Sequence, residues 1–269
     1  MKVIILGSKG MLGQIASSFF SQKYETICID ERYLLNNRQE FISKIINAGE
    51  GYVINCIGKI KQKSEDSNEL FVANSILPLD ISNSLTSNQL LIQPSTDCVF
   101  SGATQKWYSV EQECDAKDDY GYSKRLGEVA LMNKKNSYII RVSIIGPDRN
   151  SNNPKGLLGW FLKNSTDSLL DGYANHFWNG ITTLEWCKKV EELVFNDTKR
   201  ILTGKIIQLG TEEIRSKFEL LQLFQKVFQT NFKINSKDTE LVINRTLKPE
   251  FVSKDLEEQL IELNELMKI

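Results

Sequence analysis

Tyr120 and Lys124 stand four residues apart, a spacing that puts both side chains on one face of a helix. Of the eight tyrosines, only Tyr120 has a lysine at that offset. A free phenol titrates near 10 and is a poor proton donor or acceptor at neutral pH. A nearby ammonium favours the phenolate and lowers that value by about 1–3 pH units, which tunes the group for general acid–base work. Ser95-Thr96-Asp97 follows an apolar run, where an open parallel sheet ends a strand and binds its ligands. A threonine hydroxyl there can hydrogen-bond a substrate carbonyl oxygen beside Tyr120. Read alone, the Tyr/Lys pair is a surface contact and Thr96 a cap or turn residue; their conjunction argues for a reaction centre.

A second constellation opens the chain. Gly7-Ser8-Lys9-Gly10-Met11-Leu12-Gly13 directly follows the apolar run Val3–Leu6 and begins a helical pattern. The first glycine permits a tight turn, the second lets a diphosphate approach the backbone, and the third lets helix pack on strand. The N–H groups at the helix start then face phosphate oxygens, which makes Gly7, Gly10, Met11, Leu12 and Gly13 the expected cofactor contacts. Asp30 ends the next strand, near the roughly 20-residue offset of an acid that holds the adenosine ribose. Asp30 points to NAD, whereas Lys9 and Arg32 are cations suited to a 2′-phosphate, so NADH and NADPH both stay open.

The elements that carry these residues alternate. Strands are expected at Val3–Leu6, Thr26–Asp30, Tyr52–Asn55, Leu90–Gln93 and Tyr138–Val142. Helical patterns fall at Met11–Phe20, from Phe41, over Leu70–Leu85 with an interruption near Pro78, and over Tyr120–Met132. Continuously apolar strands alternating with helices predict an α/β fold, a doubly wound parallel sheet covered on both faces, over residues 1–146. Asp148–Lys155 is polar and reads as a linker or loop. Beyond it, residues 147–269 read as a smaller mixed α/β region. Its elements are a helix over Gly156–Leu162, a capped helix from Thr182 to about Phe195 that packs back on the first part, and a strand at Lys205–Leu209. A second capping box at Ser216–Glu219 and a terminal amphipathic helix over Lys254–Met267 complete it. Phe218, Leu221, Phe224 and Phe228 share a helix face and are assigned to the core.

The 269 residues are 41% hydrophobic and 25% charged, enough for a real core, which excludes a disordered chain. The 33 basic and 34 acidic residues leave a charge of −1, without the basic excess of a nucleic-acid binder. The five cysteines form no CxxC pair and His176 is the only histidine, so no metal site is expected and no Ser-His-Asp triad is favoured. No run approaches a membrane span, and the apolar N-terminal run is too short for a signal peptide, so the expected location is the cytoplasm.

Taken together, these motifs resemble those of the extended short-chain dehydrogenase/reductase superfamily and, within it, the dTDP-4-dehydrorhamnose reductase family. The matching pieces are Gly7–Gly13, Asn55-Cys56-Ile57-Gly58, Asn74, Ser95-Thr96-Asp97-Cys98-Val99-Phe100-Ser101-Gly102, Tyr120-Gly121-Tyr122-Ser123-Lys124 with Gly127-Glu128, and Arg141-Val142-Ser143. Weaker likeness continues through Trp178-Asn179-Gly180-Ile181-Thr182-Thr183 and the C-terminal helices, so the resemblance covers nearly the whole chain. The resemblance implies a Rossmann-type cofactor domain with a smaller substrate-binding region, NADPH or NADH as cofactor, and a nucleotide-linked 4-keto-6-deoxy sugar as substrate. In this reading Tyr120 protonates the forming alkoxide, Lys124 lowers the tyrosine pKa and holds the nicotinamide ribose, and Thr96 orients the carbonyl. Asn55, Cys56, Ile57 and Gly58 line the cofactor, while Asp97, Cys98, Ile144, Trp178 and Asn179 join the substrate pocket. The family allows a homodimer. It usually carries an aromatic residue where Cys98 stands and often a tryptophan where Ile144 stands, which opens the alternative of a UDP-linked 2-acetamido-2,6-dideoxy-4-ketohexose. A sugar-nucleotide epimerase or 4,6-dehydratase is a rival of the same superfamily. A cofactor-binding regulatory subunit, like the beta subunit of methionine adenosyltransferase, is a rival of another class.

Overall fold

The computed structural model describes residues 1–60, 66–104, 107–148, 154, 156–164 and 169–268. Seven parallel strands form one sheet: β1 (Lys2–Leu6), β2 (Glu25–Ile29), β3 (Gly51–Asn55), β4 (Gln89–Pro94), β5 (Ser137–Arg141), β6 (Ile206–Gly210) and β7 (Phe251–Val252). Their order across the sheet is β2-β1-β3-β4-β5-β6-β7. The apolar strands are explained by helices on both faces. In β1, Val3 and Ile5 pack into one layer and Ile4 and Leu6 into the other. The first layer holds α1 (Met11–Phe20), and the second holds α2 (Arg38–Asn47), α4 (Leu77–Ser84) and α5 (Asp119–Leu131). Ahead of α4 runs the single turn α3 (Ser67–Phe71).

The interruption expected near Pro78 takes the form of a π-helical turn, Val72–Ile76, between α3 and α4, with the chain remaining helical through it. Pro78 has no N–H to return to the carbonyl of Asn74, four residues earlier, so the ladder loosens there. The structure uses that spot for close packing. A β-carbon on Gly127 of α5 would stand 2.2 Å from the Asn74 carbonyl oxygen, so only glycine lets the two helical segments meet.

The second part of the chain is not confined to a separate layer. Its strands β6 and β7 extend the central sheet beyond β5, with Ile206 paired to Ile139 and Leu209 to Phe251. Helix α6 (Leu157–Lys163) precedes α7 (Thr183–Val190), which packs on α1 and continues in a π turn over Glu191–Phe195, where Phe195 meets Phe20 of α1 and stacks on Tyr52 of β3. Thr182 caps α7 by accepting the Glu185 N–H at 3.2 Å. Ser216 and Glu219 form both arms of a capping box at the start of α8 (Lys217–Phe228). The terminal helix α9 spans Leu256–Lys268. Three small sheets complete the fold: Leu169–Tyr173 with Lys233–Lys237, His176–Trp178 between Arg215–Ser216 and Ile243–Asn244, and Ile144–Ile145 with Ile181–Thr182. Of the polar stretch expected at 148–155, residues 149–153 and 155 lie outside the described residues. Among the described residues, no helix is long and apolar enough to cross a membrane, and no cluster of metal-ligating side chains occurs.

Leu221 and Phe224 of α8 are buried, while Phe218 and Phe228 are half-buried at the margins of that face. Phe224 meets Phe161 of α6 edge-on at 5.4 Å. Truncating it removes a fully buried ring from the layer that docks α6 and α8 on the sheet. Phe224→Ala is expected to cost about 3–5 kcal/mol of unfolding free energy, read by urea denaturation. A loss below about 1 kcal/mol would show that the two helices close over the gap.

Candidate active site

All seven strands end on one edge of the sheet, and the strand order reverses between β1 and β3. Loops leaving those two strands diverge to opposite faces and leave a crevice between them. The loops after β1, β3, β4 and β5, with the start of α5, enclose a cavity of about 340 Å³.

The glycine turn forms one rim. Gly7 sits in the left-handed region at φ 73° and donates to the Ile29 carbonyl at 2.9 Å, which ties the turn to β2. A β-carbon on Gly13 would stand 2.1 Å from the Gly7 carbonyl oxygen, so helix and turn meet only because the third glycine has none. Gly10 precedes α1 without any side-chain cap. The first N–H groups of the helix have no intrahelical partner, and Gly10, Met11 and Leu12 line the cavity there. That is the donor set an anionic diphosphate requires.

Asp30 is exposed and its carboxylate accepts both the Ser8 N–H at 2.7 Å and the Ser8 hydroxyl at 2.8 Å, pinning the turn. Arg32 pairs with Glu69 at 2.7 Å, and Glu69 also takes Lys59. Asp30 and Arg32 therefore flank the outer end of the crevice, away from the cavity lining.

Thr96 and Tyr120 form the opposite wall. Thr96 leads a one-turn helix, Asp97–Val99, accepting the Cys98 N–H at 3.1 Å and donating to Asp97 at 3.0 Å. Asp118 caps α5 through the Gly121 N–H at 2.9 Å, which sets the first turn of the helix and with it Tyr120. Tyr120 and Thr96 both line the cavity on this side. Burial pushes the Tyr120 phenol up, Cys98 and the carboxylates of Asp97 and Asp118 push the same way, and the nearby Thr96 hydroxyl opposes them. Lys124 donates to the Pro94 carbonyl at 3.0 Å, and burial pulls its ammonium down to about 8, against Glu128 and Cys98. Burial and Asp97 push the Cys98 thiol up to about 12.

The wall is held from behind. Arg141 and Glu128 form a buried bidentate pair, Nε to Oε1 and Nη2 to Oε2, both at 2.8 Å. The Ser95 hydroxyl donates to the same carboxylate at 2.7 Å, and Arg141 reaches Gln208 of β6 at 3.2 Å. Asn74 links the loop after β3 to α5, donating to the Lys59 carbonyl and to Ser123 at 2.9 and 3.0 Å. Asn55 ties β3 to β4 through Gln93 at 2.8 Å.

The cavity thus brings together Gly10, Met11, Leu12, Asn55, Cys56, Ile57, Gly58, Thr96, Asp97, Cys98, Tyr120, Lys124 and Ile144. Gly7 and Gly13 build the turn behind it. Trp178 and Asn179 lie outside the lining. The Trp178 indole donates to Ser143 at 2.7 Å, beside Ile144, and Lys217 sits 5.4 Å from its ring. The Asn179 amide donates to the carbonyls of Thr211 and Leu247 and accepts the Leu247 N–H, so it is used up bracing the second part of the chain. His176 bonds Thr239 at 2.8 Å and packs on Tyr173. Motif reading missed Lys59, Ser143, Asp148 and Gly156, which also line the cavity. Gly156 is packed on Met11, and the Pro147 carbonyl accepts from Gln14 of α1 at 2.8 Å. That return of the chain over the glycine turn is long-range and leaves no local spacing to read.

A sequence model for the family described as RmlD substrate binding domain matches residues 1–169, more than half of the chain. The chain belongs to that family. No curated protein matches it. Among solved structures it is similar to a dTDP-4-dehydrorhamnose reductase from Clostridium acetobutylicum ATCC 824, with 18% identity, all of both chains covered and a TM-score of 0.83. It is also similar to a dTDP-4-dehydrorhamnose reductase from Bacillus anthracis str. Ames in complex with NADP, with 15% identity over 100% of this chain and 98% of that one and a TM-score of 0.82. A dTDP-glucose 4,6-dehydratase from the same organism in complex with NAD follows, with 13% identity over 100% and 96% and a TM-score of 0.77. These likenesses are likenesses of fold, and the family shares its Rossmann-type α/β sheet with them.

The glycine turn of this RmlD-family chain has no room for a methyl group at its third position. Gly13→Ala is expected to cost about 1–3 kcal/mol of stability. It is also expected to weaken nicotinamide dinucleotide binding about tenfold or more, read by quenching of tryptophan fluorescence. Native affinity in a folded Gly13→Ala variant would contradict the assignment of this turn to the diphosphate.

Proposed function

We propose that this chain is an NAD(P)H-dependent reductase of the C4 ketone of a nucleotide-linked 4-keto-6-deoxy sugar, serving surface-polysaccharide synthesis. The observation that carries the reading is the meeting of Thr96, Tyr120 and Lys124 in the wall of a cavity whose opposite rim is an uncapped helix N-terminus. The rim suits a dinucleotide: Gly10 leaves the backbone open, with nothing nearer than 3.5 Å to where its β-carbon would stand. Met11, Leu12 and the loop Cys56–Gly58 would hold the cofactor, which supplies a hydride when bound. Asp30 and Arg32 flank the adenosine end.

The rest of the chemistry belongs to side chains. Thr96 and Tyr120 both donate to the substrate carbonyl oxygen, which orients the ketone and draws charge toward that oxygen. As the alkoxide forms, the Tyr120 hydroxyl transfers its proton to it. Lys124, on the same face of α5, stabilises the phenolate that remains and reaches the nicotinamide ribose.

Two features bear on the rivals. A 4,6-dehydratase needs an acid beside Asp97, and the thiol of Cys98, pushed up to about 12, stays protonated at neutral pH and supplies none. Cys98 and Ile144 line the cavity where the family carries larger rings, which favours a sugar bulkier than a rhamnose precursor, such as a UDP-linked 2-acetamido-2,6-dideoxy-4-ketohexose.

The test is oxidation of NADPH and of NADH, followed optically, with a panel of dTDP- and UDP-linked 4-keto-6-deoxy sugars. One member of the panel is expected to turn over, and Tyr120→Phe is expected to lower kcat by about 10²–10⁴-fold while leaving cofactor affinity in place. Turnover that survives in Tyr120→Phe would contradict the assigned proton donor. Cofactor binding without oxidation of any sugar would favour the regulatory subunit.

A further inference from the structure

The Arg141–Glu128 pair raises a question that fold stability does not answer. Both side chains are 1% exposed. Replacing a buried ion pair with apolar residues of similar volume is often neutral or stabilising, so such a pair is a poor device for holding a helix on a sheet. Its place is informative instead. Glu128 stands one helical turn beyond Lys124 on α5. Four donors lock its carboxylate: Nε and Nη2 of Arg141, the Ser95 hydroxyl, and Nη1 of Arg125 at 3.0 Å. Ser95 is the neighbour of Thr96, and Pro94 is the residue whose carbonyl receives the Lys124 ammonium at 3.0 Å. Glu128 and Lys124 together therefore tie α5 to the Pro94–Ser95 end of β4, next to Thr96.

We propose that Glu128 is a positioning residue that acts through Lys124: its locked carboxylate keeps the lysine charged at the cavity wall and fixes the Pro94–Thr96 segment against α5. This rests on the reading of Lys124 as part of a reductase centre. Lys124 needs such a partner because its surroundings disfavour charge. Burial is the larger influence on it, and the titratable groups that act in the opposite direction are Glu128 from its own helix and the Cys98 thiol from the end of β4. Tyr120 flanks it on α5, the Gly58 backbone faces it from the loop after β3, and Lys59, Asp97 and Asp148 line the same cavity. Arg125 and Arg141 both pair with the Glu128 carboxylate.

The sign follows directly. Lys124 is charged below about 8 and loses its proton as pH rises through that value. If the charged form is needed, kcat/KM falls above pH 8. Without Glu128 the ammonium gives up its proton at lower pH, so the alkaline limb moves toward neutrality.

The experiment titrates Lys124 directly, by NMR of protein labelled with ¹³C at lysine Cε, with Lys124→Arg to assign the signal and no substrate present. The wild-type midpoint is expected near 8. Glu128→Gln is expected to lower it by about one pH unit and to move the alkaline limb of kcat/KM by the same amount. Glu128→Gln leaves the Arg141 charge without its carboxylate, so the double variant Glu128→Gln/Arg141→Met, which removes both buried charges, provides a folded control in which the midpoint falls by less, because losing a cation acts the other way. A midpoint that stays in place in either folded variant overturns the proposal and leaves Glu128 a brace. A midpoint that moves in a protein that reduces no keto sugar upholds the tuning and refutes the reductase reading.

Discussion

Everything at the site depends on one topological constraint. In a sheet whose strands all run the same way, every strand delivers its carboxyl end to one edge, and the loops that follow must meet there. The reversal of strand order between β1 and β3 then opens that edge at a single place. The glycine turn after β1, the Asn55–Gly58 loop after β3, and the Pro94–Cys98 segment after β4 are distant in sequence and adjacent in space for that reason alone. The helix start at Met11 and the hydroxyl of Thr96 face each other because the sheet leaves them no other arrangement.

Within that frame, precision comes from buried polar groups that are fully engaged. Asn55 joins β3 to β4, Asn74 joins the β3 loop to α5, and Glu128 joins α5 to β4 and β5. Each has its bonds inside the protein, so each fixes a distance between elements that apolar packing would leave adjustable. The π turn at Val72–Ile76 and Gly127 serve the same end by letting α5 approach closely enough for Asn74 to reach Ser123. The wall of the cavity that carries Tyr120 and Lys124 is thus fixed by the packing of α5.

What could be read from the sequence follows the range of the physical signal. The glycine turn and the Tyr120–Lys124 pair are local patterns, set by turn sterics and helical periodicity, and the structure carries each on the expected type of element. The parallel sheet was legible from its continuously apolar strands, although its extension by β6 and β7 was not, because a short apolar run does not say which sheet it joins. Asn179 looked like a substrate contact by motif, yet its amide is spent on Thr211 and Leu247, contacts made across 32 and 68 residues. Asp148 and Gly156 reach the cavity through a fold-back that has no periodicity. The helical spacing placed Lys124 beside Tyr120 but could not show that burial pulls the lysine's own ammonium down or that it donates to the Pro94 carbonyl, because both depend on the end of β4.

The central claim is that a hydride arrives at C4 of a sugar while Tyr120 supplies the proton. The most direct measurement uses NADPH deuterated at the transferring position of the nicotinamide, with a 4-keto-6-deoxy sugar nucleotide, and reads the product by NMR and mass spectrometry. The account predicts one deuterium, at C4 of the sugar, and one equivalent of oxidised cofactor. A product that carries no deuterium at C4, or that forms without net oxidation of the cofactor, would contradict it and identify epimerisation or dehydration instead.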